Sequence, residues 1–94
     1  MSAIASTVRV PAQLRSLTGG TREVDVPAGT VGDVIGSLEV AHPGMQERLL
    51  DESGALRRFV NVFIADEDVR FLDGLETAVA AGQTVSIVPA VAGG

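Results

Sequence analysis

The sequence of 94 residues contains no cysteine, tryptophan, tyrosine or lysine, and it has a single histidine. Without cysteine the chain forms no disulfide, offers no thiolate nucleophile and holds neither an iron–sulfur cluster nor a cysteine-ligated zinc ion. His42 alone cannot build a multi-histidine metal site. Without lysine there is no side-chain amine for a Schiff base or an isopeptide bond. Any chemistry of this chain must therefore use other groups.

Long apolar runs and basic charge are also scarce. No stretch approaches the roughly 18 apolar residues that span a bilayer. The first residues also lack the basic region and following apolar region of a secretory signal. We therefore expect no membrane partner, no secretory signal and a cytoplasmic location. Seven arginines against twelve acidic residues give a formal charge of −5, which disfavours nucleic acid and suits a basic protein surface.

Aliphatic residues dominate what is present, and they alternate with polar residues in the manner of half-buried strands. A single domain of this size buries about 60–65 % of its surface. In the loop at 11–21, which ends in a Thr-Gly-Gly-Thr turn, we expect Leu14 and Leu17 to pack down onto the core. The predicted strands cover residues 4–10, 22–26, 58–64 and 84–89.

One segment has the pattern of an amphipathic helix. Thr30 is a good N-cap. Asp33, three residues later, resembles the acidic residue of a capping box, although Asp is shorter than the usual Glu. The helix ends at the His-Pro-Gly sequence 42–44. Gly32 and Gly36 lower its propensity, and we expect close packing against a sheet to compensate. The apolar residues that share one face are Val31, Val34, Ile35 and Leu38.

The remaining segments carry weaker signals. Residues 45–50 predict one more helical turn, and the acidic residues 66–68 predict a turn. Residues 69–72 are interpreted as a short strand. Residues 73–81 are ambiguous and are interpreted as a 3-10 turn around Leu75 and Val79.

The order of these elements predicts an α+β fold. A hairpin, one main helix and further strands indicate a mixed sheet of four to five strands with the helix packed across one face. The connection between the second and third strands contains the helix, as a crossover in a mixed sheet requires. This is the β-grasp arrangement. We assign residues 1–89 to the domain and residues 90–94 to a flexible C-terminal tail.

Side-chain catalysis finds little support. His42 lies at a helix end. A solvated histidine is a simpler interpretation there than the general base of a catalytic triad. Asp66–Asp68 are consecutive and lack the alternating spacing of a calcium loop, so a solvated turn is preferred and no metal site is expected. Gly19-Gly20 is followed by no Lys-Ser/Thr, so it is not a phosphate loop. We expect no bound cofactor and no enzymatic activity.

The C-terminal residues suggest a different chemistry. Pro89 ends the last strand because it cannot continue the hydrogen-bond ladder. Beyond it follow five small or apolar residues, which reach about 16–18 Å when extended. Gly93 and Gly94 lack a Cβ atom, so they fit a slot on another protein that is too narrow for other residues. A terminal carboxylate on Gly94, with a pKa of about 3.3, is a poor electrophile and needs activation, for example by AMP, before an amine or sulfur nucleophile attacks it. A frayed end is the alternative. The tail is Pro89, Ala90, Val91, Ala92, Gly93 and Gly94.

The elements and tail together resemble the ubiquitin-like sulfur carriers related to MoaD and ThiS, and most of all the CysO type of actinobacterial cysteine biosynthesis. The resemblance covers most of the chain. Three departures stand out: Ala90 where molybdopterin-type carriers have a second proline, Ala65 at a turn that usually carries asparagine, and the turn 81–83 where Asp-Gly-Asp is common. The matching segments are 58–62 (RFVNV), 66–71 (DEDVRF) and 85–94 (VSIVPAVAGG), with Leu14, Thr18-Gly19-Gly20 and Glu47-Arg48-Leu49.

This resemblance implies a protein co-substrate that carries sulfur on Gly94. An ATP-dependent, ubiquitin-activating-type adenylyltransferase and sulfurtransferase would form a thiocarboxylate. A pyridoxal-phosphate-dependent cysteine synthase acting on O-phosphoserine would accept the sulfur, and a JAMM-type zinc metalloprotease would release cysteine. The alternatives are a carrier for molybdopterin or thiamin synthesis, a ubiquitin-like protein modifier, and a binding module in which the tail has no role.

A partner-binding face follows from the strand periodicity. The helix should cover the valines and isoleucines of one sheet face, which leaves Asn61 and Ser86 on the other. Exposed apolar residues near the root of the tail would suit a partner. Alternatively, the loops at 11–21 or 42–57 fold over the phenylalanines. The proposed face comprises Arg9, Phe59, Phe63 and Val88.

Overall fold

The computed structural model describes residues 5–89, and it shows an α+β domain in which a helix lies across one face of a mixed sheet. The strands are β1 (Ala5–Arg9), β2 (Glu23–Pro27), β3 (Gly29–Thr30), β4 (Val60–Ile64), β5 (Glu67–Asp68), β6 (Ala78–Val79) and β7 (Thr84–Pro89). The α-helices are α1 (Val31–Ala41) and α2 (Met45–Leu49), and short 3-10 helices cover Ala12–Thr18, Val69–Phe71 and Gly74–Glu76.

The main sheet has the order β2-β1-β7-β4-β5, so the last strand lies in its centre. β1 and β2 form an antiparallel hairpin, and β4 pairs antiparallel with β7. β1 and β7 are parallel, with Val8 opposite Val85. The connection from β2 to β4 contains α1, as predicted. The short strands β3 and β6 form a separate antiparallel pair.

The core lies between α1 and one face of the sheet, because alternate residues of each strand point to that side. Along β4 the pattern is strictly alternating, with Val60, Val62 and Ile64 buried. Leu14 is buried and Leu17 packs partly against the core, which confirms their predicted role. The other buried aliphatic residues of the sheet are Val8, Val10, Val26, Val85 and Ile87, with Val24 partly buried.

The capping box predicted at the start of α1 is present. The backbone N–H of Asp33 donates to Oγ1 of Thr30 at 3.1 Å, and the N–H of Thr30 donates to Oδ2 of Asp33 at 3.0 Å. Two N–H groups that would lack partners in the first turn are thereby satisfied. At the other end the helix stops at Ala41, and the carboxylate of Glu39 accepts from the N–H groups of Gly44 and Gln46, which starts α2.

The two glycines of α1 have different surroundings. A Cβ atom added at Gly32 would lie 3.4 Å from the carbonyl oxygen of Leu75, so this glycine does face a neighbouring segment. At Gly36 an added Cβ would meet no atom within 4 Å among the described residues. The expectation of close packing against the sheet is therefore wrong at both positions, because Gly32 faces the 3-10 helix Gly74–Glu76 and Gly36 faces no described atom within 4 Å.

Residues 66–72 differ from the prediction. Glu67–Asp68 form the short strand, while Val69–Phe71 form a 3-10 helix and not the predicted strand at 69–72. The side chain of Asp68 explains the change, because it accepts from the N–H of Arg70 at 2.8 Å and caps a helical turn. Farther on, the ambiguous segment contains a 3-10 helix at Gly74–Glu76, and Val79 belongs to β6.

The turn between β4 and β5 holds two residues in left-handed backbone conformations. Ala65 has a φ of 52° and Asp66 a φ of 69°, and they join the paired residues Ile64 and Glu67. Alanine is strained there, whereas asparagine tolerates this region. We expect Ala65→Asn to raise the free energy of unfolding by about 0.5–1 kcal/mol in urea titrations. Ala81→Asn is the control, since Ala81 is exposed and has no positive φ; an equal gain in both variants would contradict this explanation.

The open space at Gly36 leads to a second expectation. Alanine in a helix interior is more favourable than glycine by about 0.8–1 kcal/mol. Gly36→Ala should stabilise the domain by that amount in thermal or urea unfolding. Destabilisation would mean that the Cβ atom meets a neighbour after all.

Candidate functional site

The end of β7 is the first element of the candidate site, because the chain continues from there into the tail. Pro89 lies opposite Val60, the first residue of β4, and it is half-buried. β7 pairs with β1 from Thr84 to Ser86 and with β4 from Val85 to Pro89, so the position of Pro89 is fixed by the sheet. The predicted tail residues Ala90, Val91, Ala92, Gly93 and Gly94 lie outside the described residues.

The second element is the sheet face opposite α1. The strand pairing places Arg9, Ser86 and Phe63 in one row across β1, β7 and β4, and it places Val88 beside Asn61 in the next row towards the tail. The structure thus brings Arg9, Phe63 and Val88 together on this face, at the end of the sheet where β7 stops. Their role in binding a partner stays a prediction.

Exposure differs among the four residues proposed for this face. Phe59 precedes β4 and is 60 % exposed, and Val88 is 45 % exposed. Arg9 is exposed, and its Nε lies 3.6 Å from Oε2 of Glu23. Phe63 is half-buried. The loops at 11–21 and 42–57 therefore leave Phe59 open to solvent, which contradicts the alternative in which they cover it.

The 3-10 helix Val69–Phe71 packs against β4, and this segment presents two further exposed apolar residues that sequence reasoning missed. Phe71 is 87 % exposed and Leu72 41 % exposed. The guanidinium of Arg70 donates to Oδ1 of Asn61 at 2.9 Å and to the carbonyl of Arg57, so it links this segment to both sides of Phe59. The available signal is the sequence Val-Arg-Phe-Leu at 69–72, directly after three acidic residues. The exposed apolar corner comprises Phe59, Phe71, Leu72 and Val88.

The loop that leads to Phe59 is held by one carboxylate. Oδ1 of Asp51 accepts from the hydroxyl of Ser53 at 2.7 Å, from its N–H at 2.9 Å and from the N–H of Ala55 at 3.1 Å. The Ser53 hydroxyl, followed by the Ala55 N–H, lowers the pKa of Asp51 below its ordinary value of 3.8. Arg57 then donates from Nε to the carbonyl of Glu47 at 2.9 Å. The loop is thereby fixed on both sides at neutral pH.

The residues considered for side-chain chemistry do not converge. Asp66 lies in the β4–β5 turn, Glu67 begins β5, and Asp68 caps a 3-10 turn. His42 is the C-cap of α1. Across residues 5–89 there is no group of three or more histidine or acidic side chains that could hold a metal ion. Over the same range, no helix is long and apolar enough to cross a membrane.

The sheet order, the single helix laid across it and the central last strand define a ubiquitin-like β-grasp domain. Residues 8–94 match the model of the ThiS family. The sulfur carrier protein CysO of Mycobacterium tuberculosis is 52 % identical over 90 residues, which is 94 % of this chain and 97 % of that protein. The chain therefore belongs to the ThiS family of ubiquitin-like sulfur carriers.

Solved structures agree with this assignment. A chain of the BexX/CysO complex from Amycolatopsis orientalis superposes with a TM-score of 0.90 at 48 % identity, covering 96 % of this chain and all of that one. The small archaeal modifier protein 1 of Haloferax volcanii superposes with a TM-score of 0.80 at 31 % identity, covering 96 % and 99 %. The relatives are thus small sulfur carriers and ubiquitin-like proteins.

Proposed function

We propose that this chain is the sulfur carrier of a cytoplasmic cysteine biosynthesis pathway, and that its Gly94 carboxylate carries the sulfur. The observation that carries the proposal is the match to ThiS-family and CysO proteins along the chain up to its Gly-Gly end. The fold supports it, because a tail that follows a central strand is presented from a rigid domain. The chain itself acts as a co-substrate and not as an enzyme.

The chemistry begins with activation of the carboxylate. An oxygen of Gly94 attacks the α-phosphorus of ATP on an adenylyltransferase of the ubiquitin-activating type, and pyrophosphate leaves. Hydrosulfide then attacks the carbonyl carbon of the acyl adenylate, AMP leaves, and the thioacid loses its proton to give a thiocarboxylate. No electron transfer is needed when the donor is sulfide. ATP belongs to the partner enzyme, and the chain itself needs no bound cofactor.

The thiocarboxylate then delivers its sulfur. On a pyridoxal-phosphate-dependent cysteine synthase, O-phosphoserine loses phosphate to give an aminoacrylate, and the sulfur atom adds to its β-carbon. An S-to-N acyl shift leaves cysteine amide-linked to Gly94. A JAMM-type zinc metalloprotease adds water across that amide, which releases cysteine and restores the carboxylate. These three enzymes are the partners we propose.

Protein modification is the second candidate. It is favoured by the similarity to small archaeal modifier protein 1, which is 35 % identical over 85 residues. In that case a lysine amine of another protein attacks the activated carbonyl in place of sulfide. The carrier and the modifier share the activation step and differ in the nucleophile.

Intact mass distinguishes these functions. With ATP, sulfide and the cognate adenylyltransferase, the chain should gain about 16 Da as oxygen is replaced by sulfur. Deletion of Gly94 should abolish the gain, because the shortened tail places the carboxylate out of reach. If the intact chain gains no mass under saturating conditions, the carrier function is wrong. Covalent adducts on lysines of other proteins, without a stable thiocarboxylate, would favour the modifier.

The exposed apolar corner should contact the adenylyltransferase beside the tail. Phe59→Asp places a charge where an aromatic ring would be desolvated, so binding should weaken by roughly tenfold or more in calorimetry. The domain should stay folded, since Phe59 is mostly exposed. Val40→Asp is the matched control, because Val40 is 84 % exposed on α1, away from this face. Equal binding by both variants would exclude the corner from the interface.

A further inference from the structure

The seven arginines are unevenly distributed along the sheet. The pairing defines two ends: a tail end, where Arg9 lies opposite Glu23 and Pro89 opposite Val60, and a far end, where Ala5 lies opposite Pro27. Arg22 lies next to Glu23 at the tail end, and Arg15 donates to the backbone just beyond β1. Arg57 and Arg58 precede β4, and Arg70 contacts Arg57. Arg48 lines a groove together with Arg57.

The far end carries acidic residues and none of the seven arginines. The β4–β5 turn and the start of β5 lie there, because Ile64 pairs with Val85 near the beginning of β7. The 3-10 helix at Gly74–Glu76 lies beside the first turn of α1, since the N–H of Val31 donates to the carbonyl of Thr77. The acidic residues of this end include Asp66, Glu67, Asp73 and Glu76, while Asp68, opposite Phe63, lies in the same row as Arg9.

At the tail end, the arginines on the two sides of β7 have different surroundings. On the β4 side, Arg48 and Arg57 share their groove with the carboxylates Glu39, Glu47, Asp51 and Glu52. Arg70 is engaged by Asn61 and the Arg57 carbonyl. Arg48 and Arg57 therefore have carboxylates nearby, and Arg57 and Arg70 donate to backbone oxygens, whereas Arg58 makes no hydrogen bond or ion pair among residues 5–89.

On the β1 side, three guanidinium groups face a single carboxylate. A cleft of about 560 Å³ is lined by Arg9, Val10, Arg15, Arg22 and Glu23. Glu23 pairs with Arg9 at 3.6 Å, and Nε of Arg15 donates to the carbonyl of Val10 at 3.1 Å. Among the described residues, the guanidinium of Arg22 makes no hydrogen bond or ion pair. We call this cleft, defined by Arg9, Arg15 and Arg22, the arginine cleft.

The arginine cleft lies close to the root of the tail. Arg9 is opposite Ser86, three residues before Pro89. That spacing is about 10 Å along the strand, and β1 lies about 4.8 Å from β7. A protein that contacts the chain at Pro89 is therefore within roughly 11 Å of the backbone at Arg9.

We propose that the arginine cleft docks carboxylate side chains at the rim of the slot that receives the tail on the adenylyltransferase. The inference rests on the proposed function for the identity of this partner, which is chosen because activation precedes every later step. Arginine presents paired N–H groups that match a carboxylate. Glu23 within the cleft opposes a doubly charged phosphate more strongly than a singly charged carboxylate.

The first test needs no enzyme. Hexaglutamate is titrated into the 15N-labelled full chain, and the arginine Nε–H signals are followed at low ionic strength. We expect saturable shifts at Arg9 and Arg15, reduced at least threefold in amplitude or affinity by Arg22→Gln. No shift, or equal shifts at all seven arginines, would overturn the cleft as a carboxylate site. Shifts with inorganic phosphate but not with hexaglutamate would overturn it as well.

The second test uses the adenylyltransferase, with pyrophosphate release as the readout. Arg22→Glu should raise the KM for this chain roughly three- to tenfold and leave kcat unchanged, with the effect declining at high salt. The control Ala80→Glu/Ala81→Glu adds the same charge at exposed positions before β7, at the far end. It should leave KM unchanged.

The outcomes separate the two proposals. Turnover of the wild-type chain with equal KM values for Arg22→Glu and its control would overturn the docking site and leave the carrier function standing. Hexaglutamate binding at the cleft without any adenylation of the wild-type chain would overturn the carrier function and, with it, the assigned partner. A loss of kcat in Arg22→Glu would contradict a purely docking role.

Discussion

The pairing of β1 with β7 is the constraint on which the rest of the structure depends. It joins two antiparallel units, the β1–β2 hairpin and the strands β4 and β5, into one sheet. Without it neither unit has a face wide enough to bury the apolar side of α1. The parallel ladder aligns Val8 with Val85, and the β4 ladder carries that register on to Pro89, which lies opposite Val60. The position of Pro89 is thus set by contacts made throughout the domain.

Two different surfaces flank Pro89 as a result of this strand order. β4 brings the apolar corner around Phe59 and Phe71 to one side, and β1 brings the arginine cleft to the other. The net charge of −5 suggests a molecule that meets basic surfaces. In the arginine cleft on the β1 side, however, three arginines face one glutamate. The carboxylates of the β4–β5 turn lie at the other end of the sheet. Charge location, and not net charge, is what a partner encounters.

Sequence reasoning worked where the signal was local. Alternation predicted β4, and the Thr30–Asp33 pair predicted the start of α1, because a few neighbouring residues decide both. It was wrong at Val69–Phe71, where the Asp68 carboxylate captures a backbone N–H and favours a turn over an extended strand. Strand periodicity also placed Phe59 and Val88 on the proposed partner face, but it did not predict the exposed Phe71 and Leu72 or the arginine cleft. The apolar corner joins residues distant in the chain, such as Phe59 and Val88, and the cleft depends on the β1–β2 pairing that sets Arg9 opposite Glu23.

The central location of β7 has a mechanical consequence. A pull applied at Pro89 along the strand acts on the ladders to β1 and β4 simultaneously, so many hydrogen bonds must break together. An edge strand under the same pull can detach from its single neighbour. Forced unfolding is governed by the rate of crossing such a barrier. A partner that binds the tail and pulls on it therefore loads both ladders of β7 at the same time.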